Sequence, residues 1–317
     1  MDLFLLLLTV LGLIMFETIT SIDNAVINAD VLSKMSQRAR RWFLLWGLLI
    51  AVFMVRGLLP WLIVWLANPS LNPIDALTAT FSSDPLIVEA VETSKPILLA
   101  GGGVFLLFLF LHWLFIEPKH YGISAEKVVQ NFSIWFFAVV SILLALIVWF
   151  AIQINPFMAF GAVVGSTAFF ITHGFKENAE AQEQKLLSGN TNLTDMSKIL
   201  YLEVIDATFS IDGVVGAFAF TLSVPLILIG NGIGAFVVRE LTIHNIENVK
   251  KYKYLKNGAM YSIFGLGIIM LLDAFGHHIP EWVSPIITFG VIAYFFHKSW
   301  RELKKEESRQ SDNSEMK

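Results

Sequence analysis

Glu17-Thr18-Ile19-Thr20-Ser21-Ile22-Asp23-Asn24 is a polar island in an apolar run that starts almost at Met1, and Asp206-Ala207-Thr208-Phe209-Ser210-Ile211-Asp212-Gly213 repeats its outline far downstream. In both copies an acid is followed six residues later by an Asp preceded by Ser-Ile. Carboxylates in a bilayer are costly, roughly 2.5–3.5 kcal/mol for an Asp at a helix centre even on lenient scales. Two matching arrays call for something that stabilises them, and a cation is the first candidate.

The composition puts these acids in a membrane. Of 317 residues 56% are hydrophobic and 15% charged, with a mean hydropathy of +0.66, whereas about a quarter of a soluble domain is charged. The chain reads as an all-α integral membrane protein. A net charge of -4 gives no sign of a nucleic-acid partner, and the absence of cysteine excludes disulfides, thiolate metal sites and Cys nucleophiles. A metal would have to be held by oxygen, nitrogen or thioether ligands. The first apolar run lacks a basic leader and carries Glu17 and Asp23 where a signal peptide would show its cleavage site, so it reads as a retained helix.

Apolar runs of about 17–25 residues mark membrane spans. Nine are expected, at about 3–30, 42–67, 95–116, 131–153, 156–174, 199–222, 224–243, 258–276 and 280–299. Lys and Arg concentrate in cytoplasmic loops. Lys34, Arg38, Arg40 and Arg41 place the first loop inside, Asp75, Asp84, Glu89 and Glu92 place 68–94 outside, and Lys250, Lys251, Lys253 and Lys256 mark another inside loop. Arg301, Lys304 and Lys305 put the C-terminus in the cytoplasm, so an odd number of spans leaves the N-terminus outside the cell membrane. The expected organisation is a three-helix repeat over 1–116, two inserted helices and a cytoplasmic linker over 117–198, and a second three-helix repeat over 199–276. A final span over 277–301 and a disordered tail over 302–317 complete it.

With this orientation the two acidic helices run in opposite directions. Inverted repeats with a site near the bilayer midplane are a common construction of secondary transporters. An acid and a second one six positions on lie about 120° apart on an unbroken helix, so a shared site requires a break, expected at Asn24 and Gly213, which tolerate unusual backbone angles. Glu17, Ser21, Asn24 and Asn28 form one stripe, expected to face Asp206, Ser210 and Gly213. Ser21, Ser210, Gly213 and Gly216 are small enough to let the two helices approach closely.

The paired motifs resemble those of the TerC family, within the LysE superfamily of exporters. Glu17, Asp23 and Asn24 are similar to the family's first repeat and Asp206 and Asp212 to its second. Arg41-Trp-Phe-Leu-Leu-Trp-Gly47 leading to Arg56 is similar to its second helix, Asn231-Gly-Ile-Gly-Ala-Phe-Val-Val-Arg239 to the equivalent helix of the second half, and His278-Ile-Pro-Glu-Trp-Val-Ser284 to the turn before its last helix. Gly213, where the family often has Ser, and the two extra spans at 131–174 depart from it. The resemblance implies a metal-ion exporter with manganese as cargo and an association with tellurium resistance. Independently of it, Glu17, Asp23, Asp206 and Asp212 with the amide oxygen of Asn24 form a hard-oxygen donor set that suits Mn²⁺, Mg²⁺ or Ca²⁺ without choosing among them.

The expected metal-site residues are therefore Glu17, Asp23, Asn24, Asp206 and Asp212, with Ser21, Asn28, Arg56, Glu203, Ser210, Asn231, Arg239 and Asp273 around the site or along its path. Arg56 and Arg239 are counterions to the acids or boundary arginines that snorkel. His112 reads as a neutral core histidine, and His277 and His278 as a solvated pair. No tightly bound cofactor is expected; the partners are the transported cation and the bilayer. Export of a cationic organic solute such as a basic amino acid is the alternative, with the acids pairing an ammonium or guanidinium group. An intramembrane metal-dependent enzyme is a third reading, disfavoured because no His-Glu-x-x-His signature occurs.

Overall fold

The computed structural model describes residues 2–315 except 34, 48–49, 51–53, 55, 69, 83, 188–193 and 245, and at some helical positions, Asp23 among them, the backbone alone. Local chemistry sets the helix starts. Asn72 and Asp84 each accept hydrogen bonds from the first turn that follows and each precedes a proline at the first helical position, the arrangement that best satisfies orphan N–H groups. Ser36 and Thr194 cap their helices in the same way.

In chain order the first half comprises α1 (Leu3–Thr20), α2 (Ile22–Ser33), α3 (Gln37–Trp42) continuing into a π-helical turn (Phe43–Gly47), α4 (Leu58–Ala67), α5 (Pro73–Thr78) and α6 (Pro85–Phe115). It is followed by α7 (Ser124–Gln130), α8 (Phe136–Ile154), α9 (Pro156–Leu187) and α10 (Asp195–Ala217). The chain ends with α11 (Val224–His244), α12 (Ile246–Lys250), α13 (Leu255–Ala274) and α14 (Val283–Glu315). Gly276, at φ +86, closes α13 and lets the N–H of His277 reach the carbonyl of Leu272 at 2.9 Å, a glycine-dependent helix stop.

Among the described residues the protein is all-helical, and six helices are long and apolar enough to cross a membrane: Leu3–Thr20, Pro85–Phe115, Ser133–Ile154, Pro156–Asn178, Val224–Ile243 and Leu255–Ala274. The expectation of nine spans is thus matched in six places. Among the described residues of the second expected span α4 is the one regular apolar helix, and it is 10 residues long. In α10 the acids, and in α14 the polar second half, lower the hydropathy. The tail expected to be disordered from 302 is helical to Glu315. Its first turns are fastened to the loop before α13, where Tyr254 donates to Glu302 at 2.8 Å and Lys253 pairs with Glu306.

The core lies along α6, where Phe105, Leu106, Phe108 and Trp113 are fully buried against α9 and α13. Backbones meet where side chains are missing: a Cβ on Gly165 would lie 2.0 Å from the carbonyl oxygen of Gly101, and one on Gly161 2.5 Å from that of Ile97. Close crossings of this kind replace hydrophobic driving force when lipid is the solvent. Conversely, α8 turns Phe137, Ile142, Trp149 and Phe150 outward, a face that fits hydrocarbon and not water.

The helix break falls elsewhere than expected. The first acidic helix is interrupted at Ser21, three residues before Asn24, and α10 continues without interruption through Gly213 to Ala217. Ser21 closes α1, its N–H reaching the Glu17 carbonyl at 3.1 Å and its hydroxyl the Glu17 carboxylate at 2.8 Å. Thr208 and Ser210 bond back to the carbonyls of Val204 and Asp206 in α10, and that helix stays regular.

Candidate functional site

α1–α2 and α10 lie antiparallel. Asn24 touches Asp206, Gly213 sits beside Glu17 and Thr20, and Gly216 sits under Phe16. α11 runs parallel to α1, with Gly230 against Leu13 and Gly234 against Glu17. A Cβ on Gly213 would come within 2.7 Å of Glu17 Oε2, and one on Gly234 within 2.7 Å of Glu17 Cβ. Glycines on two helices thus make the space that the Glu17 side chain fills.

Glu17 is fully buried and Arg56 nearly so. The Arg56 Nε donates to Glu17 Oε1 at 2.8 Å, and its Nη1 lies 3.5 Å from Asp206 Oδ2. Ser21 donates to the same Glu17 oxygen at 2.8 Å, and the Asn24 amide donates to Asp206 Oδ1. One guanidinium therefore bridges two carboxylates from antiparallel helices. The bridge borders a cavity of about 50 Å³, also lined by Asn28, Gly47 and Arg239. Glu203 Oε1 lies against the Gly47 position of the π-helical turn, and Ser210 bonds the Asp206 carbonyl at 2.5 Å.

One expected ligand stands apart from this group, and another cannot be placed in it or outside it. The Asp23 side chain lies outside the described residues. Asp212 is turned away, into a separate cavity of about 40 Å³ with Thr20, Lys176 and Lys256, so the shared four-acid site is corrected. The reason is the unbroken α10: six residues on a regular helix rotate Asp212 about 120° from Asp206. Among the described residues no group of three or more His, Asp or Glu is arranged to hold a metal. Asp273 is also remote, paired with Lys95 at 2.8 Å near the opposite ends of α1 and α11.

Sequence reading missed a second ionisable group. His112, read from the sequence as a core histidine, has its ring centroid 3.8 Å from that of His173 and its Nδ1 3.5 Å from Glu117, which also pairs with Lys256 at 2.9 Å. Burial works to raise the Glu117 carboxyl, but the neighbouring His112 and the charges of Lys256 and Lys176 outweigh it and hold the group well below the ordinary range. Lys119, which reaches the carbonyls of Trp113 and Leu114 at the end of α6, is pushed down to about 8 by burial, against the pull of Glu126 and Glu117. A signal was present in His173, Lys176 and Glu177, which share one face at the polar end of an otherwise apolar run.

The chain belongs to the DUF475 family, described as a protein of unknown function, whose family model matches residues 22–306. This family is distinct from TerC, and the resemblance drawn above is corrected by it. Acid-containing motifs in apolar helices answer to the same bilayer constraint wherever they occur, and so discriminate poorly between families. An uncharacterized membrane protein of Rickettsia felis is 32% identical over 109 residues, and one of Rickettsia conorii 31% identical over 109 residues. Each match covers 32% of this chain and 35% of the relative, so the chain spans about a third of the length of the curated relatives it matches. No solved structure matches it. The names of these relatives and the six apolar helices together support a membrane location.

Proposed function

We propose that this protein is a membrane transporter of a cation, with Glu17 and Asp206 as the pair that binds the cargo. The carrying observation is the buried Arg56 guanidinium between them. Glu17 and Asp206 are balanced around the cavity by Arg56 and Arg239, so a cation gains both acids only by displacing a guanidinium. A hard divalent cation would neutralise the two acids if it displaced Arg56, drawing further oxygens from Asn24, Asn28 and Ser21. Arg56 then acts as the acids' own counterion between transport events and spares them from standing unpaired, a condition that costs about 3–5 kcal/mol.

The manganese preference came with the TerC resemblance and falls with it; the donor set supports Mn²⁺, Mg²⁺ or Ca²⁺ alike. The proposed architecture is a pair of inverted repeats in the cell membrane, N-terminus outside and C-terminus cytoplasmic. Its support is the antiparallel contact of α1–α2 with α10 and the reciprocal packing of α1 on α11 and of α10 on α3 and α4. Export of a guanidinium- or ammonium-bearing solute is the second reading, favoured by the fact that the acid pair already holds a guanidinium. Cells expressing wild type and Asp206→Asn, challenged in parallel with Mn²⁺, Ca²⁺, arginine and lysine, separate the two. A difference in content or tolerance confined to the divalent ions supports the metal reading, one confined to the amino acids supports the second, and none for either contradicts cation transport.

A further inference from the structure

Of eleven buried polar side-chain atoms without a hydrogen-bond partner among the described residues, seven belong to α1–α2, α11 and the turn before α11. They are Ser223 Oγ, both amide atoms of Asn231, Arg239 Nε, Glu17 Oε2, Asn24 Oδ1 and Asn28 Oδ1. Such atoms are nearly always paired, and each unpaired one costs about 1–3 kcal/mol. Asn231 is the extreme case, fully buried with neither amide atom bonded. On α11 it is four residues after Ile227 and four before Ala235, so the three share a face. The neighbouring Gly230 and Gly234, against Leu13 and Glu17, place its turn between those two residues.

At the Ile227 end lies a second, larger cavity of about 600 Å³, lined by Leu6, Lys95, Phe220, Ser223, Asp273 and Glu281 among others. It has room for an ion with its water shell, since a water takes about 30 Å³. Leu6 of this cavity and Ser21 of the acid cavity are fifteen residues apart, about 22 Å along a helix axis. Between them Leu13, Phe16, Phe220 and Ile227 are buried, the Phe16 and Phe220 rings meeting at 5.6 Å. An apolar constriction of this kind closes a pore by excluding water.

We propose that the two cavities are the two halves of one permeation path for a hydrated cation, that Phe16 and Phe220 are its gate, and that the Asn231 amide oxygen is the ligand that passes the cation across the gate to Glu17. This deepens the transporter reading and rests on it for the identity of the cargo, but the path itself is measured without any cargo. The chain has no cysteine, so single cysteines report access directly. In oriented vesicles a membrane-impermeant maleimide is expected to label Ser223→Cys from the face bearing the N-terminus and Asn28→Cys from the opposite face. Adding Phe220→Ala to Asn28→Cys is expected to give a gain of labelling from the N-terminal face. Labelling of Asn28→Cys from the N-terminal face with the gate intact, or no gain with Phe220→Ala, overturns the gate. Asn231→Leu tests the ligand: a raised melting temperature with loss of cation flux supports it, and unchanged flux overturns it. If the labelling pattern holds while no cation flux is found, the path stands and the cargo reading fails.

Discussion

Arg56 carries the electrostatics of the acid pair, and its removal separates the charge account from mere packing. Arg56→Gln leaves Glu17 buried with Ser21 as its one side-chain partner among the described residues, a loss expected to reach about 3–5 kcal/mol. Thermal unfolding of the purified protein should therefore begin at lower temperature, and millimolar Ca²⁺ or Mn²⁺ should restore part of the loss in this variant more than in wild type. An unchanged melting temperature would show that the bridge contributes nothing. At this scale the sequence exposed Glu17 and Asp206 through the cost of placing acids in apolar runs. It misled at Asp212, because the spacing was taken to demand a broken helix when an unbroken one sends the second acid elsewhere. Asn231 stood out as an amide in a glycine-rich helix, but its lack of any partner is a three-dimensional property.

Elements in this molecule approach through glycine, and their spacing can be tested without touching the acids. Gly165→Ala would set a Cβ 2.0 Å from the Gly101 carbonyl, so α6 and α9 must separate; overpacking of this kind costs about 1–3 kcal/mol. Gly174→Ala, on the same helix with nothing within 4 Å, should be neutral or stabilising by about 0.5–1 kcal/mol. Comparing the melting temperatures of the two variants checks the crossing, and equal values would contradict it. Helix existence was legible in the long apolar runs, because length and hydropathy report it directly. The Ser21 interruption was not, because hydroxyl back-bonding occurs in both acidic helices and only one is interrupted, nor was the helical tail, whose order comes from the contacts of Glu302 and Glu306 with the distant Tyr254 and Lys253.

Across the whole molecule, Glu117 ties the end of α6 to α13 through Lys256, with α9 contributing His173 and Lys176 nearby. Its folded-state pKa is depressed, so the stability it contributes is present above its ordinary value of 4.5 and is lost as pH falls below it. Wild type should lose stability more steeply than Glu117→Gln as pH falls below 4.5, as read from melting temperature against pH; parallel curves in that range would contradict the assignment. Membrane class was legible from composition alone. Family membership was not, since the motifs that mark the acids in the bilayer are shared beyond one family and the match that decides it extends over most of the chain. The central claim, that the Glu17–Asp206 pair moves a cation, is tested most directly by flux into liposomes containing the purified protein. Time-resolved uptake of Mn²⁺ and Ca²⁺ should be saturable in wild type and abolished in both Glu17→Gln and Asp206→Asn, whereas equal uptake by folded wild type and variants would contradict the account.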